Sequence, residues 1–278
     1  MSTAQATLPA VRARPRSRLR IGRFVLPVYT WLVILYTIVP IAVMVVYSFN
    51  RAPSSRLTFA WQGFTTTWYR QAFDISDLTN ALIHSLEVAF GSTAIALILG
   101  TPLALALARS RFFGRTAIDA TIFTDIAAPS VVVGASLLSL FLSLGFDRGL
   151  VTILIAHVSF NVAFVVVVVR ARVLGLDRSI EKAAYDLGAN PWVTFWRVTL
   201  PLILPGIIAA GMLAFAMSID DFIITSFVAG QTLTFPLWVY GAVKVGIPPQ
   251  VFVMGTMIFA AGIILALVNA FVQRRSAS

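Results

Sequence analysis

The sequence predicts an all-α integral membrane protein that crosses a bilayer about six times, with both termini in the cytoplasm. Hydrophobic residues occupy 59% of its 278 positions and charged residues only 12%, whereas about a quarter of the residues of a typical soluble domain are charged. The mean hydropathy of +0.90 points the same way. So few charges cannot cover a water-facing surface of this size, and we therefore expect the excess apolar surface to contact lipid.

Six apolar segments are long enough to be transmembrane helices, since about 20 residues rising about 1.5 Å each span the hydrocarbon core. The first is too long for the apolar region of a signal peptide, and no small-x-small cleavage site follows it. We expect it to be retained as the first span. The transmembrane domain, residues 24–272, has predicted spans at residues 24–49, 85–108, 118–144, 150–169, 200–228 and 251–272.

Basic residues predict which side of the membrane is cytoplasmic, because short cytoplasmic loops carry an excess of Lys and Arg. Sixteen of the 21 Lys and Arg residues fall in the tail (1–23), the connections 109–117 and 170–199, and the C-terminus (273–278). These segments are therefore expected to be cytoplasmic. The net charge of +10 then needs no nucleic acid as a partner, because a basic tail contacts anionic membrane lipid.

No catalytic or metal-binding motif is present in the sequence. It contains neither a Gly-x-x-x-x-Gly-Lys-Ser/Thr loop for nucleotide phosphates nor a His-Glu-x-x-His pair for zinc. With two His and no Cys, a metal enzyme is not expected. We therefore predict no catalytic residues, no metal site and no cofactor held by this chain.

The longest cytoplasmic connection, residues 170–199, is predicted to contain two short helices separated by a tight turn. Asp177 is expected to cap the first helix, and Gly188 to end it in the left-handed conformation. Asn190 followed by Pro191 is typical of the start of a second helix.

Small and aromatic residues in this loop leave two interpretations open. Ala183 and Ala184 permit close approach of another backbone, and Trp192, Phe195 and Trp196 are residues that anchor interfaces. The loop is either a docking element for a soluble partner or a helical hairpin lying on the lipid headgroups. Periodicity alone does not separate the two.

The run from Glu181 to Pro201 resembles the conserved cytoplasmic loop of binding-protein-dependent ABC importer permeases. That pattern is Glu-Ala-Ala, three residues, Gly, nine residues, Ile, one residue and Leu-Pro; this sequence matches it at Ala183-Ala184, Gly188, Val198 and Leu200-Pro201. Lys182, with Glu181 just before it, stands where the family has the glutamate. In the family this loop seats in a groove of the ATPase. The resemblance implies that the ATPase-coupling residues are Glu181, Lys182, Ala183, Ala184, Asp186, Gly188, Arg197 and Pro201.

The C-terminal third resembles the C-type permease subunit of spermidine/putrescine importers, in Ser218–Phe222, Pro236–Tyr240 and Val243–Ile247. The resemblance implies a type I ABC importer permease fold in a bacterial inner (plasma) membrane. It implies as partners an extracytoplasmic binding protein that delivers the polyamine, a second homologous permease, and two ATPase subunits that bind ATP and Mg. The alternative is the same machine with another small solute, such as an opine, a sugar or an inorganic ion.

Asp220 and Asp221 are predicted to lie near the outer end of the fifth span, because twenty residues from Pro201 rise about 30 Å. Carboxylates inside a span are costly and usually face a cavity or a partner. Two of them suit a substrate with several ammonium groups, although only one is expected to face a pore. The alternative is that they cap a helix break or pair with a basic residue such as Lys244.

Two other functional classes fit the sequence less well. An intramembrane enzyme needs paired catalytic groups, whereas Asp220 and Asp221 would point apart on one helix. A membrane anchor does not explain acids inside the spans. Of the remaining polar groups in the spans, Asp119 and Asp125 are expected to pair with arginines such as Arg115, and His157 to form a helix–helix hydrogen bond.

Overall fold

The structure is a computed structural model that describes residues 22–52 and 60–276. Within these ranges it is built from helices. A single π-helical turn, Phe195–Thr199, joins two of them. The helices are α1 (Gly22–Tyr47), α2 (Thr67–Arg70), α3 (Ser76–Arg109), α4 (Arg115–Ala127), α5 (Ser130–Ser143), α6 (Leu150–Leu174), α7 (Ser179–Asp186), α8 (Pro191–Thr194), α9 (Leu200–Ile219), α10 (Ile223–Val228), α11 (Phe235–Val245) and α12 (Pro249–Ser276).

Among the described residues, five helical stretches are long and apolar enough to cross a membrane, and α4 with α5 make a sixth if this bent pair counts as one span. The prediction of an all-α protein with about six spans is therefore confirmed. Several helices continue past the apolar segments: α3 begins at Ser76, and α12 reaches Ser276. Hydropathy detects only the part of a helix that meets hydrocarbon, so it misses such ends. The basic tail (1–23) lies almost entirely outside the described residues.

The predicted third span, residues 118–144, is not one continuous helix in the structure. Helix α4 ends at Ala127, and α5 leaves at an angle of 111° to it. Ala128 and Pro129 between them have extended backbone. Proline has no N–H to donate, and it disfavours helical backbone at the residue before it, which explains the position of the break.

The predicted fifth span, residues 200–228, is also broken, at the place where one interpretation of the aspartates put a helix break. Helix α9 ends at Ile219, and α10 begins at Ile223 after a break that contains both aspartates. At its other end the helical path continues without a break from Pro191 through α8 and the π turn to Ile219. The predicted second short helix of the cytoplasmic loop is therefore the first part of this span.

Helices α3, α6 and α9 pack together around small and β-branched side chains. Their shared core includes Ala96, Val165, Val169 and Ala210. Small residues let helix backbones approach closely in a membrane, where apolar side chains gain little by leaving lipid. Gly100 shows how close the approach is, because a Cβ there would lie 2.7 Å from Cγ1 of Val165.

A second core joins this bundle to the two broken spans. Phe141 of α5, Ile153 and Phe160 of α6, and Ile224 and Val228 of α10 are buried together. The breaks after α4 and after α9 are thereby held against helix α6. Helix α1 lies on the periphery of the bundle, where it packs against α12. Most of its apolar side chains are exposed on the surface of the chain.

Candidate coupling loop and substrate path

The loop of residues 170–199, which is predicted to be cytoplasmic, folds locally as its capping residues predict. Asp177 accepts hydrogen bonds from the backbone N–H (2.9 Å) and hydroxyl (2.6 Å) of Ser179, which starts α7. Both bonds lower the pKa of Asp177 below its ordinary value, and the bond from the hydroxyl contributes more than the bond from the N–H. Gly188 ends α7 with φ of +83°, and Asn190 Oδ1 accepts from the N–H of Val193 at 2.8 Å. All three local predictions are confirmed.

Glu181 faces its own chain. Its Oε1 lies 3.0 Å from Nη2 of Arg109, at the end of α3, and accepts a hydrogen bond of 3.0 Å from the hydroxyl of Thr199 in the π turn. Arg178 adds a hydrogen bond of 3.2 Å to the carbonyl of Ala108. Helix α7 is therefore attached to α3 and to the start of α9.

The opposite face of the loop is exposed. Lys182, Ala183 and Asp186 are open to solvent, and Ala184 is half-buried. Apolar side chains stand beside them, with Leu187 89% and Trp192 70% exposed. Gly188, Arg197 and Pro201 are exposed as well, so the predicted coupling residues divide into an inward Glu181 and an outward set of small, charged and aromatic residues.

Asp220 and Asp221 line a cavity of about 460 Å³ at the meeting point of the two helix breaks. Ser130, the first residue of α5, contributes from one break, and the aspartates contribute from the other. Four apolar side chains and Phe160 complete the lining, which includes no basic residue. The lining residues are Ser130, Phe160, Met217, Asp220, Asp221, Phe222, Ile223 and Ile224.

The two carboxylates have different surroundings. Asp221 Oδ2 accepts two hydrogen bonds of 2.8 Å, from the N–H and the hydroxyl of Thr225, and lies 3.5 Å from Nε2 of His157. Its side chain is only 13% exposed. Asp221 therefore caps the break before α10, which was one of the two interpretations of the sequence.

Asp220, by contrast, is exposed and has no ion pair or side-chain hydrogen bond within the described ranges. The alternative that the aspartates pair with Lys244 does not hold there either. Instead, Nζ of Lys244 lies over the ring of Tyr240, 5.2 Å from its centroid.

A buried chain of polar side chains runs from Asp221 into the helical core. His157 contacts Thr225 Oγ1 through Nε2 (2.9 Å) and Ser218 Oγ through Nδ1 (2.6 Å). The chain continues from Ser218 to Ser92 of α3, which accepts a hydrogen bond from Asn161. The predicted helix–helix hydrogen bond of His157 is confirmed.

The sequence reading missed Ser92, Asn161 and Thr225 as members of this chain. The sequence feature that could have indicated them is a polar side chain within an apolar span. Such side chains are unfavourable at positions that face lipid, so they tend to have a partner within the protein. Thr225 donates its hydroxyl hydrogen to Asp221, so His157 must donate to Thr225 from Nε2. The hydrogen on Nε2 therefore lies on the side of the ring that faces Thr225 and Asp221.

Two acids of helix α4, one near each end, differ in their partners. Asp119 forms ion pairs with Arg115 (3.8 Å) and with Arg170 of α6, which confirms the predicted pairing and fastens α4 to α6. Asp125 has no ion pair with any described residue, so the pairing expected for it is wrong. One helical turn and a half beyond Asp119, it lies out of reach of the arginines at the membrane edge.

Comparisons with known proteins agree on one class. Residues 100–277 match the family described as the binding-protein-dependent transport system inner membrane component. The spermidine/putrescine transport system permease protein PotC of Escherichia coli is 36% identical over 258 residues, which cover 92% of this chain and 95% of that protein. The putrescine transport system permease protein PotI of Escherichia coli is 39% identical over 245 residues, covering 85% and 86%.

A solved structure supports the fold at lower identity. A bacterial ABC transporter involved in the import of the acidic polysaccharide alginate contains a chain that superposes with a TM-score of 0.65. The two are 20% identical, and the match covers 94% of this chain and 99% of the other. This likeness concerns the fold alone.

Proposed function

This chain belongs to the family of binding-protein-dependent transport system inner membrane components, and we propose that it forms part of the pathway for a polyamine such as spermidine or putrescine. Membership makes it a permease subunit in the inner membrane, which works with an ATPase, a second permease and a binding protein. Its likeness to PotC and PotI over most of the chain supports the polyamine as substrate.

The observation that carries the substrate proposal is Asp220 in its cavity. An unpaired carboxylate there gives an ammonium group a charge-assisted hydrogen bond, and the neighbouring rings of Phe160 and Phe222 attract a cation through their faces. Asp221 contributes negative charge from behind while it holds the helix break in shape. A cavity with two carboxylates and no basic lining residue disfavours an anionic solute.

Coupling to ATP hydrolysis, we propose, uses the outward face of the loop. Each of two ATPase subunits would bind one permease of a pair. In this chain the exposed Lys182, Leu187 and Trp192 would enter the groove of the ATPase. Glu181 would not contact the ATPase directly. It would pass the motion of α7 to Arg109 on α3 and to Thr199, at the start of the span that ends beside Asp220.

Uptake by the reconstituted complex tests the proposal. Proteoliposomes containing this chain with its ATPase, second permease and binding protein should accumulate labelled putrescine or spermidine only when ATP is present. Unlabelled polyamine should compete, whereas maltose and phosphate should not. Uptake that polyamines fail to displace, but maltose or phosphate displaces, would assign a different solute.

A further inference from the structure

Two aromatic rings connect the Asp220 cavity with the exposed face of helix α11. The rings of Phe222 and Tyr240, called the aromatic pair below, have centroids 4.7 Å apart and planes inclined by 43°. Phe222 lines the cavity, whereas Tyr240 is 54% exposed. The pair therefore has one member inside the cavity and one outside it.

Lys244 places a charged group over the outer member. Its Nζ lies 5.2 Å from the Tyr240 centroid, within the roughly 6 Å at which an aromatic face attracts a cation. Lys244 lies one helical turn beyond Tyr240 and forms no ion pair within the described ranges. The ring is thus occupied by a primary alkylammonium group, which is the chemical group at each end of a linear polyamine.

We propose that the face of Tyr240 is a binding site for an alkylammonium group of the substrate, and that Lys244 occupies this face until the substrate displaces it. The inference rests on the proposed function and names a second contact point for the same solute. An ammonium bound at Tyr240 passes along Phe222 to Asp220. The carboxylate binds it more strongly than an exposed ring does, so the two contacts favour movement into the cavity.

This arrangement also selects against other solutes before they reach the carboxylates. A neutral sugar cannot displace a cation from the ring, because it brings no charge to replace it. An anion would be held by Lys244 outside the cavity. A flexible chain with several ammonium groups can exchange one of them for Lys244 while the others remain hydrated.

Initial uptake rates at low polyamine concentration, a measure of kcat/KM, test the inference in the reconstituted complex. Lys244→Gln should raise kcat/KM about threefold to tenfold, because the competing cation is removed from a site of this strength. Tyr240→Leu should lower it by a similar factor. Two conservative variants serve as matched controls. Tyr240→Phe keeps an aromatic face and should lower kcat/KM less than Tyr240→Leu does. Lys244→Arg keeps a cation that stacks on the ring, so it should not produce the gain of Lys244→Gln.

The double variant Lys244→Gln/Tyr240→Leu separates a specific effect from a general one. If Lys244 acts through the ring, its substitution should change nothing once Tyr240 is Leu. An equal gain in both backgrounds, or wild-type rates for Tyr240→Leu, overturns the inference while leaving the transport proposal intact. A wild-type complex that takes up no polyamine overturns both.

Discussion

Asp220 and Asp221 are neighbours in the chain, yet their side chains have different partners. Asp221 satisfies the N-terminus of α10 and approaches His157, so its charge is committed to the protein. Asp220 meets the cavity with its oxygens free of any described side-chain donor. We therefore propose Asp220 as the substrate contact and a supporting role for Asp221.

Asp220→Asn should lower kcat/KM for polyamine uptake by roughly tenfold to a hundredfold, the value of a hydrogen bond to a charged group. The melting temperature of the purified chain should stay the same, because no described side-chain contact is lost. Uptake and thermal unfolding in detergent measure the two effects. Asp221→Asn, which keeps an acceptor for Thr225, should reduce uptake less; the reverse order would contradict the assignment.

Thr225→Val should destabilise the chain, because it removes the hydroxyl that links His157 to Asp221 and leaves buried polar atoms unpaired. A loss of about 1–3 kcal/mol is expected, seen as a fall of several degrees in melting temperature. Ser226→Ala is the matched control, because that exposed hydroxyl bonds only to Ile223 in its own helix. Equal melting temperatures for the two variants would count against the buried chain.

Helix α7 is the part of the 170–199 loop that contacts the membrane-spanning helices. Its eight residues are too few to be stable alone in water, so its contacts with α3 and the π turn keep it in place. π-helical turns are rare and often mark functional sites. Here the turn brings Thr199 to Glu181, which gives the α7 helix two attachment points in the membrane domain.

Glu181→Ala should uncouple transport: ATP hydrolysis by the complex continues, while polyamine uptake falls severalfold. Arg109→Ala should act in the same direction, and the double variant should be no worse than Glu181→Ala alone, because Glu181→Ala already removes the contact with Arg109. ATPase rate and uptake are measured on the same proteoliposomes. If Glu181→Ala alone releases the ATPase during purification, Glu181 contacts the partner after all.

Substitutions at Gly188 can distinguish its role in the backbone turn from a role in contacting the ATPase. Its φ of +83° strains any residue with a side chain, and an added Cβ would meet nothing within 4 Å of it in this chain. Asn tolerates that conformation better than Val. Gly188→Asn should therefore preserve α7, as judged by an unchanged melting temperature, while Gly188→Val lowers stability by about 1–2 kcal/mol.

Loss of coupling in Gly188→Asn, with normal stability, would show that the partner ATPase lies close to this position. If both Gly188→Asn and Gly188→Val remain fully coupled, the turn at Gly188 is not part of the docking surface. The assay is again the ratio of substrate transported to ATP hydrolysed.

One continuous helical stretch connects the two functional regions of the molecule. Pro191–Ile219 has 29 residues, a length of about 43 Å, and runs from the cytoplasmic loop to the break at Asp220. It packs against α3 and α6, and we propose that a displacement at the loop reaches the cavity along this helix. The break at Pro129 lies on the other side of the same cavity.

The orientation of the whole chain can be tested because it contains no cysteine. Single cysteines at exposed positions on opposite sides report which side is accessible to a membrane-impermeant thiol reagent. Leu187→Cys should react only from the cytoplasmic side, and Asp147→Cys only from outside. The cysteine-free wild type is the control for background labelling. Labelling on the reversed sides would invert the topology that the Lys and Arg distribution predicts.

The sequence by itself determined the membrane character, the number of spans, the helix caps at Asp177, Gly188 and Asn190, and the family resemblance. These features depend on composition and on residues close together in the chain, so they can be predicted from local sequence patterns. Pro129 disfavours a helix at its own position and at the one before it, but only the structure shows that the chain bends by 111° there.

Only the tertiary structure decided what the polar residues contact. Glu181 and Arg109 are 72 positions apart, and His157 and Asp221 belong to different spans; no local pattern brings such pairs together. Packing of α3, α6 and α9 fixes these distances, turns Glu181 inward and leaves Asp220 as the free carboxylate. The physical reason is that hydropathy reports whether a side chain leaves water, while its partner depends on which helices meet.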